Sequence, residues 1–379
     1  MRKGLEAVKH YILNNDASAS GYNDDLLERM VWVNHEYDLV LLNYKDATAM
    51  ILHNEGLQWT PFLRVCRGVV FTPSGELVSL PLHKFFNVKE NEETSLANIA
   101  NWPLRSATEK VDGVMIQVFF HPLRKEITYA SRWRIWSDAA ITAFKLANSA
   151  LTNAVIPKLN ASFGEGKWTL ICELIHPEHR QPGMVSYGDL QALVLLYVRK
   201  LDDLELIPAV ELFKDNELPP PLMLPQQYLI VSALEALEKV KQAKHANWEG
   251  IVVQGAMEGG NRLVKMKNPL YLEGVNAVKN LNRILKIYEA QGREGVENLF
   301  LLYASYLDDV PHIVGLRDLL YKTEDEINNY AKQLRESTQD VTTLPREWRW
   351  VKSYDVGNDK WQRCVRRMVL QKVNAGGRK

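Results

Sequence analysis

Six short motifs in a fixed order constrain this chain more than its composition does. They are Arg67-Gly68-Val69-Val70-Phe71, His83-Lys84-Phe85-Phe86-Asn87, Lys110-Val111-Asp112-Gly113, Cys172-Glu173-Leu174-Ile175, Glu249-Gly250-Ile251-Val252-Val253 and Val264-Lys265-Met266-Lys267. Each sets a charged side chain in or beside an apolar run rich in strand formers. Carboxylates and lysines are seldom placed in such surroundings without a partner. A fold that satisfies all six must bring remote strands together around the charges. Lys-x-Asp-Gly alone is a weak signal; its weight comes from the motifs before and after it.

The texture of the chain supports an α+β reading up to residue 268. Runs at Asp38–Tyr44, Arg64–Phe71, Glu76–Leu80, Val114–Phe120, Glu126–Ser131, Trp168–Ile175, Leu190–Arg199, Gly250–Gln254 and Arg262–Lys267 read as strands. Thr72-Pro73-Ser74-Gly75 is a turn signal between two of them. Ser137–Leu151 has helical patterning, with Asp138 as the capping candidate, and Ser232–Ala246 is helix-like. Glu217–Gln226 carries four prolines and is expected to be a loop. After Asn268-Pro269 the apolar spacing changes to the helical period over Tyr271–Ala290, Gly295–Leu307, His312–Tyr321 and Glu324–Glu336. Two domains are expected, residues 1–268 and an all-helical 269–379.

Of 379 residues, 46 are Lys or Arg and 46 are Asp or Glu, so any phosphate-binding surface must be local. The last stretch, Arg346–Lys379, has ten Lys and Arg against three Asp and Glu, with Trp348, Trp350, Tyr354 and Trp361 interleaved. It reads either as an RNA contact or as a helix face with its tryptophans packed inward. Met1–His10 has charges and no apolar core, so no secretory signal is expected, and no apolar run reaches the length of a membrane span. Cys66, Cys172 and Cys364 are odd in number and far apart, which points to a reducing, cytoplasmic interior rather than a disulfide framework. Cys172 reads as a buried thiol. The histidines show no metal-ligand spacing and receive no catalytic role.

The charged residues suit nucleotidyl transfer. Lys110 follows a predicted strand end, Ala107-Thr108-Glu109, and precedes a glycine turn. An amine that attacks phosphorus must be neutral, whereas an unperturbed lysine sits near pKa ~10.4. Desolvation or the field of Lys265, Lys267, Arg67 and a bound metal is expected to lower it. Asp112 shapes the turn or contacts ligand, and Gly113 permits close approach to phosphate. Glu173 and Glu249 can accept from ribose hydroxyls or hold Mg2+; the alternative is a pair of edge carboxylates facing solvent. Lys265 and Lys267 share a strand face, where an anion such as a triphosphate would relieve their repulsion. Arg67 and Arg132 can grip phosphate through paired hydrogen bonds. Lys84 either meets phosphate or is a surface lysine beside a core pair of phenylalanines.

The ordered motifs resemble the covalent nucleotidyltransferases, and within them the phage-type ATP-dependent RNA ligase 1 family. RGVVF, HKFFN and KVDG carry the resemblance, with Glu173 followed by Pro177-Glu178-His179-Arg180, the strand Leu195-Leu196-Tyr197-Val198-Arg199, and VKMK followed by Tyr271. It spans about Arg64 to Tyr271. It implies an adenylyltransferase domain of antiparallel sheets around an ATP cleft, with a helical C-terminal domain. It implies Lys110 as the adenylylated lysine, Glu173 at the adenosine ribose, and Glu249 with Tyr271 at Mg2+ or Mn2+. Lys265 and Lys267 would hold the α-phosphate; Arg67 and Lys84 would contact phosphates of ATP or of the RNA end. Tyr197 or Val198 would lie against adenine. The implied substrate is single-stranded RNA with 5′-phosphate and 3′-hydroxyl ends, such as a cleaved tRNA loop. No GxxxxGK[ST] loop is visible in the sequence, so a separate kinase or phosphatase would heal the ends. The competing readings are a DNA ligase, an mRNA-capping guanylyltransferase and an inactive RNA-binding member of the fold. The first two normally add an OB-fold after the closing lysines, where this sequence reads as helices. The third needs no nucleophile.

Overall fold

A computed structural model describes residues 1–180, 185–214, 218–256, 262–279, 281–302, 311–336, 363 and 365–368. Three sheets carry the first part of the chain. The first is antiparallel, in the order β1 (Val31–Glu36), β2 (Leu39–Tyr44), β3 (Arg67–Phe71) and β4 (Leu77–Ser79). The remaining strands are β5 (Phe86–Asn87), β6 (Leu104–Glu109), β7 (Val114–His121), β8 (Glu126–Ser131), β9 (Trp168–Ile175), β10 (Ala192–Lys200), β11 (Leu206–Pro208), β12 (Leu222–Met223), β13 (Gly250–Gly255) and β14 (Arg262–Lys267). The second sheet runs β11-β10-β9-β7-β8, with β12 parallel to β10. The third runs β5-β14-β13-β6, antiparallel except where β5 joins β14. This mixture of antiparallel sheets and helices is the expected α+β class.

Each sheet buries a face for a reason visible in its residues. The helix Arg2–Asn14 and the short helix Pro61–Val65 cover the first sheet with Leu5, Val8, Phe62 and Leu63 against Val40, Leu42 and Val69. Alanines 140, 143 and 147 of the helix Asp138–Ala150 let it lie close on the second sheet, against Val118, Leu170 and Leu195. Fully burying one such large apolar side chain stabilises by about 1.5–3 kcal/mol. Ser137, not the expected Asp138, caps that helix, because its hydroxyl accepts from the Ala140 N–H. Between the second and third sheets lies an apolar floor of Met115, Ile171, Tyr197, Val252 and Leu263. The charged motif residues stand at its border.

The chain divides into two compact units. The first comprises Met1–Arg180, Tyr187–Gln242 and Glu249–Lys267; the second comprises Gln181–Ser186, Ala243–Trp248 and Asn268–Lys379. Described elements of the second unit after residue 268 are the helices Pro269–Lys279, Leu281–Leu302 and Pro311–Glu336. The two helices expected at 312–321 and 324–336 are one continuous helix. Of the basic, aromatic tail, only 363 and 365–368 fall within the described residues; Trp348, Trp350, Tyr354 and Trp361 lie outside them.

Candidate active site

Strand register assembles the centre of the site. β6 ends at Glu109, and the Lys110 N–H donates to the Gly250 carbonyl at 2.8 Å, extending the β6–β13 ladder by one residue. On the other side of β13, Gly250 is opposite Lys267 and Val252 opposite Lys265. Lys110, the start of β13 and Lys267 therefore stand in a row across three strands. Gly250 has φ +139°, and a Cβ there would lie 2.0 Å from the Met266 carbonyl oxygen. Only glycine lets β14 come that close beside Glu249.

Glu249 holds both lysines. Lys110 Nζ lies 2.6 Å from Glu249 Oε2, and Lys267 Nζ lies 2.7 Å from Oε1. The glutamate is 2% exposed. Burial pushes its pKa up, but Lys110 and Lys267 together overcome that and hold it below the usual range. The expectation that Lys110 is depressed in this state is overturned. Burial does push the amine down, yet Glu249, Glu173 and Asp112 outweigh it, and its pKa is raised. A carboxylate in contact prevails over burial. Lys265 is the lysine that is depressed, to about 7, by burial and then by Lys84, Arg67 and Lys110.

Glu173 approaches from the second sheet. Its Oε1 accepts from the Gly113 N–H at 3.2 Å. A Cβ on Gly113 would meet the Leu174 carbonyl oxygen at 2.4 Å, so this glycine is needed for close packing. Burial raises the Glu173 pKa to about 7; Lys110 opposes the rise, and Asp112 and Glu249 add to it. The Asp112 N–H donates to the Tyr187 hydroxyl at 3.1 Å. Lys110, Glu173, Lys265, Lys267 and Arg67 line one cleft of about 180 Å³, walled by Phe85, Leu196 and Tyr197. Arg67 is steadied there by donating to the Leu82 carbonyl at 3.2 Å.

The family profile for RNA ligase matches residues 65–271, a span that includes every one of these residues. The chain belongs to the phage-type RNA ligase family. A Thermovibrio ammonificans protein named "Putative RNA ligase" is 31% identical over 168 residues, 43% of this chain and 40% of that one. The match thus spans about two-fifths of that relative's length. Among solved structures, a point mutant of Naegleria gruberi RNA ligase with ATP and Mn has a TM-score of 0.37 at 17% identity, covering 51% of this chain and 57% of that one. The same Naegleria gruberi ligase with PPi gives 0.36 at 18%, covering 50% and 56%.

Other expected site residues of this RNA ligase-family chain are placed less centrally. Lys84 Nζ is 3.2 Å from Glu90 and lies over the rings of Trp59 and Phe86. Arg132 is 3.4 Å from Asp46, and its guanidinium lies over Trp133. Tyr271 is buried and belongs to the second unit. Of Tyr197 and Val198, Tyr197 lines the cleft and Val198 packs in the second sheet's core: β10 has a bulge between Leu195 and Tyr197, so Leu196 and Tyr197 both reach the cleft. Sequence spacing missed one cluster. The turn after β9 brings ligand atoms of His176, Glu178 and His179 within 4.8 Å of one another. Two ring nitrogens there are already engaged: His176 Nδ1 accepts from the Glu178 N–H, and His179 Nε2 is 2.8 Å from Thr142 Oγ1. Among the described residues, no helix is long and apolar enough to cross a membrane.

Proposed function

We propose that this chain is an ATP-dependent RNA ligase that joins 5′-phosphate and 3′-hydroxyl ends through a lysyl-AMP intermediate. The observation that carries the reading is a lysine tethered to a buried carboxylate at the edge of a cleft lined by further cations. A tether of that kind is a costly arrangement for a structural surface lysine, and a suitable one for a nucleophile held in position. In the first step the Lys110 amine attacks the α-phosphorus of ATP; a P–N bond forms, the P–O bond to pyrophosphate breaks, and the amine loses a proton. Arg67, Lys265 and Lys267 offset the phosphate charge. Glu173 accepts from a ribose hydroxyl, and Tyr197 provides a wall for adenine. In the second step the RNA 5′-phosphate displaces the lysine, forming an AMP-capped end. In the third a 3′-hydroxyl attacks that end and releases AMP.

The carboxylate chemistry fits Mg2+ or Mn2+. Asp112, Glu173 and Glu249 lie close enough for Asp112 and Glu249 to raise the Glu173 pKa, and hard cations favour such oxygen donors. Glu249 would hold the ion, and the bound ion would supply charge neutralisation of the phosphates. Each oxygen of Glu249 is in contact with a lysine in this structure. Without the Glu249 contact, burial favours the neutral Lys110 amine, while Glu173 and Asp112 favour the charged form.

Helices, rather than strands, follow β14 among the described residues, which favours this reading over a DNA ligase or a capping guanylyltransferase. A reducing, cytoplasmic compartment, a cleaved tRNA substrate and a separate end-healing enzyme complete the proposal. The test is incubation with 5′-phosphorylated single-stranded RNA, ATP and Mg2+. Joined or circular RNA with release of AMP is expected; RNA recovered unchanged, with DNA joined instead, would remove the RNA ligase reading.

A further inference from the structure

One end of the first sheet bears a series of rings and cations that the adenylylation chemistry leaves unused. β2 finishes there at Tyr44, and Asn43 is opposite Arg67, so this end lies beside a residue that lines the cleft. Lys45 Nζ lies 4.4 Å over Trp32, which is 50% exposed. The Arg132 guanidinium lies 4.7 Å over Trp133 and 5.7 Å over Tyr44. Tyr44 meets Trp59 edge-on at 5.1 Å, and Lys84 lies 5.0 Å over Trp59. Lys84 and Arg67 are near enough to Lys265 to depress its pKa, and Lys265 lines the cleft. One series of contacts thus runs from Lys84 through Trp59 and Tyr44 to Arg132 and Trp133; of the Lys45–Trp32 pair, Lys45 follows Tyr44 in the chain and Trp32 lies on β1, the strand paired with β2.

The turn that carries Trp133 is anchored to β1. Trp133 sits at the turn after β8, where its carbonyl accepts from Asn34 Nδ2 at 2.7 Å. Arg134 Nε donates to Glu36 at 2.9 Å, so the turn is fixed along β1, the strand that carries Trp32. The acid nearest Arg132 is Asp46, with a side chain 83% exposed and 3.4 Å away. An exposed pair of that length contributes little, so a phosphate can displace it.

We propose that this end of the sheet is the track for the single-stranded RNA that enters the cleft, with bases stacked on Trp32 and Trp133 and phosphates held by Lys45 and Arg132. The proposal rests on the RNA ligase reading. Rings accept any base because every base has a π face, and interleaved cations follow the backbone. Two indoles, one on a strand and one on an anchored turn, present that pattern on a backbone already in place, which lowers the entropic cost of binding.

The experiment titrates a 5′-phosphorylated single-stranded oligoribonucleotide into the full chain and follows fluorescence anisotropy at two salt concentrations. Trp32→Ala and Trp133→Ala are each expected to raise Kd about fivefold or more, the lower end of base–aromatic stacking. Trp32→Phe should recover most of the loss, which a charge or folding effect would not explain. Lys45→Ala should lower the slope of log Kd against log salt by about 0.7. Trp32 is half exposed, so its truncation spares the core and decides the matter even where Trp133→Ala folds poorly. Wild-type Kd in Trp32→Ala, or duplex RNA bound as tightly as single strand, would overturn the track. Label from ATP is measured on the same samples: its absence from wild type strikes the ligase reading, whereas the titration alone judges the track.

Discussion

Glu249 governs the resting site, since one buried carboxylate occupies two lysines at once. Its own contribution to stability, from a lowered pKa, is present above the ordinary value of 4.5 and is lost as pH falls through the folded value. The raised Lys110 contributes in the opposite sense, below 10.5, and loses its contribution as pH rises through the folded value. Glu249→Gln should therefore free Lys110: the pH midpoint for modification of Lys110 by an amine-directed reagent should fall, while Mg2+-dependent turnover drops at least about tenfold. An unchanged midpoint would show that Glu249 does not set the state of the amine. Glu173 carries the reverse sign from Glu249. A carboxyl raised from 4.5 to about 7 favours the folded state below 4.5 and loses that advantage as pH rises through 7. Glu173→Gln is expected to stabilise the protein by up to about 3 kcal/mol at pH 8 and by little at pH 4, read from denaturant midpoints. Equal effects at both pH values would contradict the burial of a charged carboxylate there. The sequence showed Lys110, Glu173, Glu249, Lys265 and Lys267 as candidates because charges in apolar runs are conspicuous. It could not show which lysine is raised and which depressed, because that depends on a side-chain contact made across three strands.

At the scale of elements, glycines decide how near the strands can come. Gly250→Ala places a methyl 2.0 Å from the Met266 oxygen at a backbone angle that other residues rarely adopt. It should destabilise by about 2–4 kcal/mol, seen as a lower denaturation midpoint, and weaken the Lys110–Glu249 contact with it. A midpoint equal to wild type would show that β13 and β14 can separate freely. Most strands were legible from their β-branched and aromatic runs. β1 was not, since Trp-Val-Asn-His-Glu is mixed in polarity and its hairpin turns on Tyr37 and Asp38, both with positive φ and neither a glycine. The bulge that sends Tyr197 into the cleft was hidden for a similar reason: one extra residue shifts the alternation without altering composition.

At the scale of the whole molecule, the change in texture at Asn268 was visible, but the assignment of Ala243–Trp248 to the second unit was not. That segment is tied by the Asn268 side chain, whose Nδ2 donates to the His245 and Trp248 carbonyls at 2.9 Å. A fragment ending at residue 268 keeps this tie and loses the rest of the unit. Limited proteolysis should then cut at 243–248 sooner than in the full chain; equal rates would show that the helices after residue 268 do not protect the segment. The near-zero net charge gave no hint of the proposed nucleic-acid partner, because the cations invoked for it are grouped locally around Lys265 and Arg132. The most direct test of the central claim uses ATP or GTP radiolabelled at the α-phosphate, with Mg2+, on wild type and Lys110→Ala, followed by a denaturing gel. Label from ATP alone, retained on wild type and absent from a folded Lys110→Ala, is the predicted result. Equal labelling of the two proteins would contradict Lys110 as the nucleophile, and label from GTP would contradict ligation in favour of capping.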